Sequence, residues 1–157
     1  MAAPEDLDIR VDDLTGEASV ALVRHHLAGM HELSPAESVH ALGVAQLQEP
    51  SVTVWSAWRG EELAGIGALA LLGETDGELK SMRVAAAHLG TGVGRAILRH
   101  ILTDARARGL TRVWLETGSD AGFLAARTLY VSEGFIECPA FGDYLPDPAS
   151  TFMTRAL

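Results

Sequence analysis

Val84-Ala-Ala-Ala-His-Leu-Gly-Thr-Gly-Val-Gly-Arg-Ala-Ile-Leu98 runs from a β-like segment, through a loop carrying Gly90, Gly92 and Gly94, into an amphipathic helix. Glycines adopt the backbone angles that turn successive N–H groups toward one point, and they leave room for an anion to approach. The helix start adds unpaired donors and the positive end of its dipole. The stretch is therefore suited to a phosphate or pyrophosphate. Two nucleotide-binding patterns fail on specific residues. In a G-x-G-x-x-G fingerprint the third glycine would fall on Arg95 or on Ile97, and a P-loop would need Lys and Ser/Thr where Arg95 and Ala96 stand.

Outward from this loop the chain alternates between two periodicities. Upstream, residues 8–11 read as a short strand. Val20, Val23, Leu27 and Met30 mark a helix over residues 16–33. Ser34-Pro35-Ala36-Glu37 predicts a second helix running to about Leu42, with Ser34 as N-cap, Pro35 at the first position and Glu37 closing a capping box. Strands follow at 52–58 and 63–72 around Arg59-Gly60-Glu61-Glu62, and a third ends at Val84. Downstream, Val93, Ile97, Ile101, Leu102 and Ala105 form an apolar helical stripe stopped by Gly109. A strand at 112–117, a helix at 121–133 ending at Gly134, and strands at 135–139 and 151–156 complete the chain.

The 157 residues suit one domain over 1–157, and 48% hydrophobic with 21% charged residues excludes a disordered chain. A net charge of −9 argues against nucleic-acid binding and is compatible with a cationic substrate. One cysteine, Cys138, excludes an internal disulfide and a cysteine-based zinc site, so a reducing, cytoplasmic setting is expected. Met1 to Asp6 lacks the basic-then-apolar run of a signal peptide, and the apolar run from Ile66 to Leu72 is too short to cross a membrane. No membrane partner is expected, and a homodimer stays open.

Three motifs carry a family resemblance. Leu89-Gly90-Thr91-Gly92-Val93-Gly94 resembles the acyl-CoA pyrophosphate loop of the GNAT N-acetyltransferases, Arg/Gln-x-x-Gly-x-Gly/Ala, with Leu89 in place of the leading Arg or Gln. Ala126, Leu129, Tyr130, Gly134 and Phe135 are similar to the GNAT signature A-x-x-L-Y-x-x-x-G-F, although Phe123 stands where an Asn is often found. Glu78-Leu-Lys-Ser-Met-Arg-Val84 is similar to the GNAT strand beside the pantetheine arm. The element order matches over essentially the whole chain, and the chain looks like a small bacterial member. The resemblance implies an α+β fold with α/β/α layers: a mixed, mostly antiparallel sheet of about seven strands with four helices, ordered β-α-α-β-β-β-α-β-α-β-β.

The implied activity is acetyl transfer from acetyl-CoA to a primary amine of a small molecule or peptide, by direct attack in a ternary complex. A silent acyl-CoA sensor or an interaction domain is the alternative. The resemblance implies that Met82, Arg83, Val84, Leu89, Gly90, Thr91, Gly92, Val93, Gly94 and Arg95 hold the cofactor, and that Tyr130 is the general acid. A phenol with pKa near ~10 can hydrogen-bond a thiolate whose pKa is near ~8.5. An ammonium must lose a proton before it attacks, and Glu78 and Glu116 are the candidate bases. The plain reading of Glu78 is an ion pair with Lys80 or Arg83. Strict alternation puts Leu79, Ser81 and Arg83 on one face of the strand and Glu78, Lys80, Met82 and Val84 on the other. His31, Glu32, His40 and Tyr144 are candidates for the acceptor pocket. His31 and His40 lack the spacing that would complete a metal site, so no metal is expected. Cys138 reads as packing, not as an acetyl carrier.

Overall fold

The computed structural model describes residues 7–157; the terminal stretch Met1–Asp6, read above for a signal peptide, lies outside them. Seven strands form one sheet in the order β1-β2-β3-β4-β5-β7-β6. They are β1 (Asp8–Val11), β2 (Val52–Arg59), β3 (Glu62–Leu72), β4 (Asp76–Val84), β5 (Arg112–Gly118), β6 (Ile136–Cys138) and β7 (Ser150–Ala156). Neighbours are antiparallel except β4 and β5, the two central strands, which run parallel. The helices are α1 (Glu17–Leu33), α2 (Val44–Leu47), α3 (Val93–Ala107) and α4 (Leu124–Ser132).

Each face of the sheet is covered. Ile97, Leu98, Ile101, Leu102 and Ala105 of α3 pack with Leu69, Leu79, Val113 and Leu115, and Tyr130 of α4 joins them. Leu22 and Val23 of α1 and Leu47 of α2 pack with Val54, Ile66 and Ala68 on the other side. Gly67 lets α3 lie close: a Cβ there would fall 2.7 Å from Met82 Sδ and 2.8 Å from Ile97 Cγ2. The helix stops are as read. Gly109 (φ 82°) ends α3, with Leu110 N donating to Ala105 O and Gly109 N to Arg106 O, both at 3.0 Å, which is the Schellman pattern.

Two local expectations are corrected. Residues 34–42 form no α-helix: Ser34 is extended (φ −138°, ψ 149°) and gives its N–H to Met30 O at the end of α1. A single 3₁₀ turn, Ala36–Ser38, follows, and the Ser38 hydroxyl is bonded to Asp147 in the far loop instead of supporting a helix. The second helix is instead α2, whose start is held by Gly43 N donating to Gln46 Oε1 at 2.9 Å. The second correction concerns β4. Ser81 has φ 55°, and the pairing with β3 shifts between Ile66 and Ala68, so a bulge breaks strict alternation. Beyond it Met82 and Val84 join Leu79 on the α3 face, while Arg83 turns toward α1, with Nη2 3.2 Å from His25 Nε2. The predicted helix at 121–133 begins as a 3₁₀ turn, Ala121–Phe123, and becomes α-helical at Leu124.

Candidate active site

At the end of β4 the chain is pinned by Ala85 N donating to Ala64 O at 2.8 Å, turns through Ala86–His88, and passes Leu89 in extended conformation. Gly90 (φ 71°) and Gly92 (φ 88°, ψ 4°) then take the left-handed backbone that only glycine adopts without strain. Gly92 is the N-cap of α3, and the first helical bond is Ala96 N to Gly92 O at 3.0 Å. Among the described residues no N–H of Gly90, Thr91 or Gly92 meets a backbone carbonyl. Those of Val93, Gly94 and Arg95 lie in the first turn, where no intrahelical acceptor exists. The loop thus presents a run of free donors at a helix start, and it fits a pyrophosphate. Leu89 is 64% exposed and brings no polar group. The Arg95 guanidinium is drawn away to Glu133 Oε1 (2.7 Å) and Ser132 Oγ (3.0 Å), so this residue offers the loop only its amide.

Beside the loop the sheet parts. Pairing between β4 and β5 covers Asp76–Leu79 against Arg112–Leu115 and then stops, leaving Lys80–Val84 paired with β3 and Glu116–Gly118 paired with β7. At this parting Glu78 Oε2 accepts the Tyr144 hydroxyl at 2.5 Å and lies 3.1 Å from Lys80 Nζ, which also donates to the Tyr144 oxygen at 2.8 Å. His40 meets the Tyr144 ring edge-on, with centroids 4.9 Å apart. Burial pushes the Glu116 carboxyl above the usual range; the Ser150 hydroxyl, His40 and Lys80 oppose this in that order, and the Glu78 charge adds to it. Burial, and then the Glu116 charge, raise the Tyr130 phenol well above its ordinary value. Tyr144 is raised as well, first by burial and then by Glu78. Tyr130 is 6% exposed in the core under the sheet, with Phe135 edge-on at 5.8 Å. The Glu116 charge thus contributes to the rise of both phenols, behind burial in each case.

Around Tyr144 a cavity of about 640 Å³ is lined by Glu37, His40, Leu72, Glu78, Phe141 and the 142–147 loop. His40, Tyr144 and Glu78 come together here, whereas His31 and Glu32 are exposed in the last turn of α1 and do not line it. Glu37, read above as a helix cap, faces this cavity instead. The sequence reading has Lys80 only as an ion-pair partner of Glu78, and it singles out neither Phe141 nor the Ser38–Asp147 clasp. Only the Glu78–Lys80 spacing could have signalled a site role for Lys80. It also missed Arg59, whose Nη1 donates to Thr91 Oγ1 at 2.8 Å from a hairpin 32 residues upstream. No group of three or more His, Cys, Asp or Glu is gathered as for a metal ion, and no helix is long and apolar enough to cross a membrane, among the described residues.

Residues 20–135 match the model of the Acetyltransferase (GNAT) family. The chain is 54% identical over 149 residues to the uncharacterized N-acetyltransferase YedL of Escherichia coli, covering 95% of this chain and 94% of that protein. It is 52% identical over 151 residues to the uncharacterized N-acetyltransferase YsnE of Bacillus subtilis, covering 96% and 100%. Among solved structures, a candidate acyl-CoA N-acyltransferase from Klebsiella pneumoniae superposes with TM-score 0.78 at 28% identity, covering 96% of this chain and 97% of that one. A GNAT family acetyltransferase from Elizabethkingia anophelis, solved with acetyl-CoA bound, shares the fold with TM-score 0.71 at 16% identity over 98% and 99% of the two chains.

Proposed function

Because this chain belongs to the GNAT family of acetyltransferases, we propose that it moves an acetyl group from acetyl-CoA to a primary amine by direct attack in a ternary complex. The observation that carries this reading is the parting of β4 and β5, with the free amides of Gly90 to Arg95 on one side and Glu116 on the other. Acetyl-CoA supplies the activated acyl group as a thioester. The loop amides and the start of α3 bind its pyrophosphate, and the unpaired edge of β4 along Met82–Val84 receives the pantetheine arm.

Glu116 is the general base, directly or through a water. Burial raises its carboxyl above the ordinary glutamate range, which makes it a stronger base than a solvated glutamate. Glu78 is less suited to that task, because one of its oxygens already holds Tyr144 and Lys80. It anchors the pocket wall on which the amine rests, with His40 and Tyr144 beside it. Tyr130 keeps its proton and donates a hydrogen bond to the departing thiolate. A phenol at its ordinary pKa of ~10 is already a weaker acid than a thiol at ~8.5 and burial raises it further, so the hydrogen bond itself is the contribution.

Thiol release from acetyl-CoA across a panel of small amines and peptide N-termini tests this. We expect turnover with at least one acceptor, and a roughly ten- to hundredfold lower kcat in Tyr130→Phe, the worth of one charge-assisted hydrogen bond. Unchanged kcat in that variant removes the role of Tyr130. Acetyl-CoA binding without release on any acceptor would favour a silent sensor.

A further inference from the structure

The glycine loop has little of its own to hold it in shape. Gly90 and Gly92 flank Thr91, and glycine surrenders more backbone freedom on ordering than any other residue. Two neighbouring side chains that could have served the site do not reach it. Leu89 is apolar and solvent-facing, and the Arg95 guanidinium is committed to Glu133 and Ser132. The loop is instead gripped from the β2–β3 hairpin. Arg59, the last residue of β2, donates through Nη1 to Thr91 Oγ1 at 2.8 Å and through Nη2 to Thr91 O at 3.3 Å. The same Nη1 lies 3.0 Å from His88 Nδ1, and the Thr91 hydroxyl donates to His88 O at 2.6 Å. A guanidinium only donates, so His88 Nδ1 accepts and the ring carries its proton on Nε2, on the side of Glu62 at 3.7 Å.

We propose that Arg59 is the positioning residue of the pyrophosphate loop: its fork fixes Thr91 between the two left-handed glycines, and its charge takes over the electrostatic part that a side chain at position 89 does not supply. This rests on the reading of the loop as a coenzyme A site. Bracing reduces the ordering cost of binding, because the amides already converge before the anion arrives. The guanidinium is always charged, and its Nε is buried without a partner, so its field at the loop is less screened than that of a solvated surface arginine.

Titration of wild type, Arg59→Met and Thr91→Val with coenzyme A and with pantetheine, which lacks the pyrophosphate, separates the outcomes when followed by NMR chemical shifts. The Arg59→Met variant is expected to lose roughly tenfold more affinity for coenzyme A than for pantetheine, and Thr91→Val to lose in the same sense by less. Equal weakening toward both ligands assigns Arg59 a merely structural role and overturns the proposal, as does no change toward either. If Arg59→Met lacks a folded spectrum, Thr91→Val decides alone by the same comparison. Wild type that binds neither ligand overturns the acetyl-CoA reading itself, and this inference with it.

Discussion

Glu116 and Glu78 are the same residue type on adjacent strands, in different surroundings. Glu78 is held by a phenol and an ammonium, and Glu116 is half-buried, with desolvation outweighing the groups that favour its charge. A carboxyl whose folded pKa is raised binds its proton at higher pH in the native state than in the unfolded one. The stability tied to that proton is therefore complete at low pH and lost as pH rises through the raised value. Glu116→Gln should accordingly melt above wild type at pH 8, and the difference should shrink as the pH is lowered. Turnover in the same variant should fall by about 10²- to 10⁴-fold, the usual range for a general base. In wild type the acid limb of kcat/KM should lie above the ordinary glutamate range. A pH profile that is unaltered in Glu116→Gln would transfer the base role elsewhere. Sequence alone offered both glutamates. The choice between them depends on Lys80 and Tyr144, the second of which lies 66 residues from Glu78.

The elements were largely legible from periodicity, since α3 shows its stripe and β2, β3 and β5 their apolar runs. Two failures have specific causes. The Ser34-Pro-Ala-Glu37 pattern satisfies the rules for a helix start, yet Ser38 is claimed by Asp147, a partner 109 residues away. On β4 the alternation is correct only as far as Lys80, because Ser81 adopts φ 55° and resets the phase. No residue type announced this, as the position is a serine and not a glycine. The bulge carries Arg83 to the α1 side and leaves the β4 edge free beyond Leu79. A β-branched side chain is poorly accommodated at positive φ. Ser81→Val should lose about 1–3 kcal/mol in chemical denaturation, and Ser81→Gly should stay within about 1 kcal/mol of wild type. Equal stability in the two variants would show that the bulge is not strained.

At the scale of the whole molecule, the proposed function puts coenzyme and acceptor together where two parallel strands diverge between helical layers. Binding at such a site belongs to the folded state alone, so ligand should raise the melting temperature by mass action. Acetyl-CoA at a hundred times its dissociation constant should add about 2.7 kcal/mol, an increase of roughly 5–10 °C for a chain of this length. A melting temperature unmoved by millimolar acetyl-CoA would contradict the functional reading at its root. The sequence by itself determined the layered α+β class, the glycine loop and the place of Tyr130. Those are set by hydrophobic period, glycine spacing and helix stops, all local along the chain. Only the tertiary structure decided that Glu78 is tied to Tyr144 and Lys80, how β4 turns its side chains, and that Arg59 holds the loop. Each of these depends on partners distant in sequence, whose contacts exist only once the sheet has brought them together.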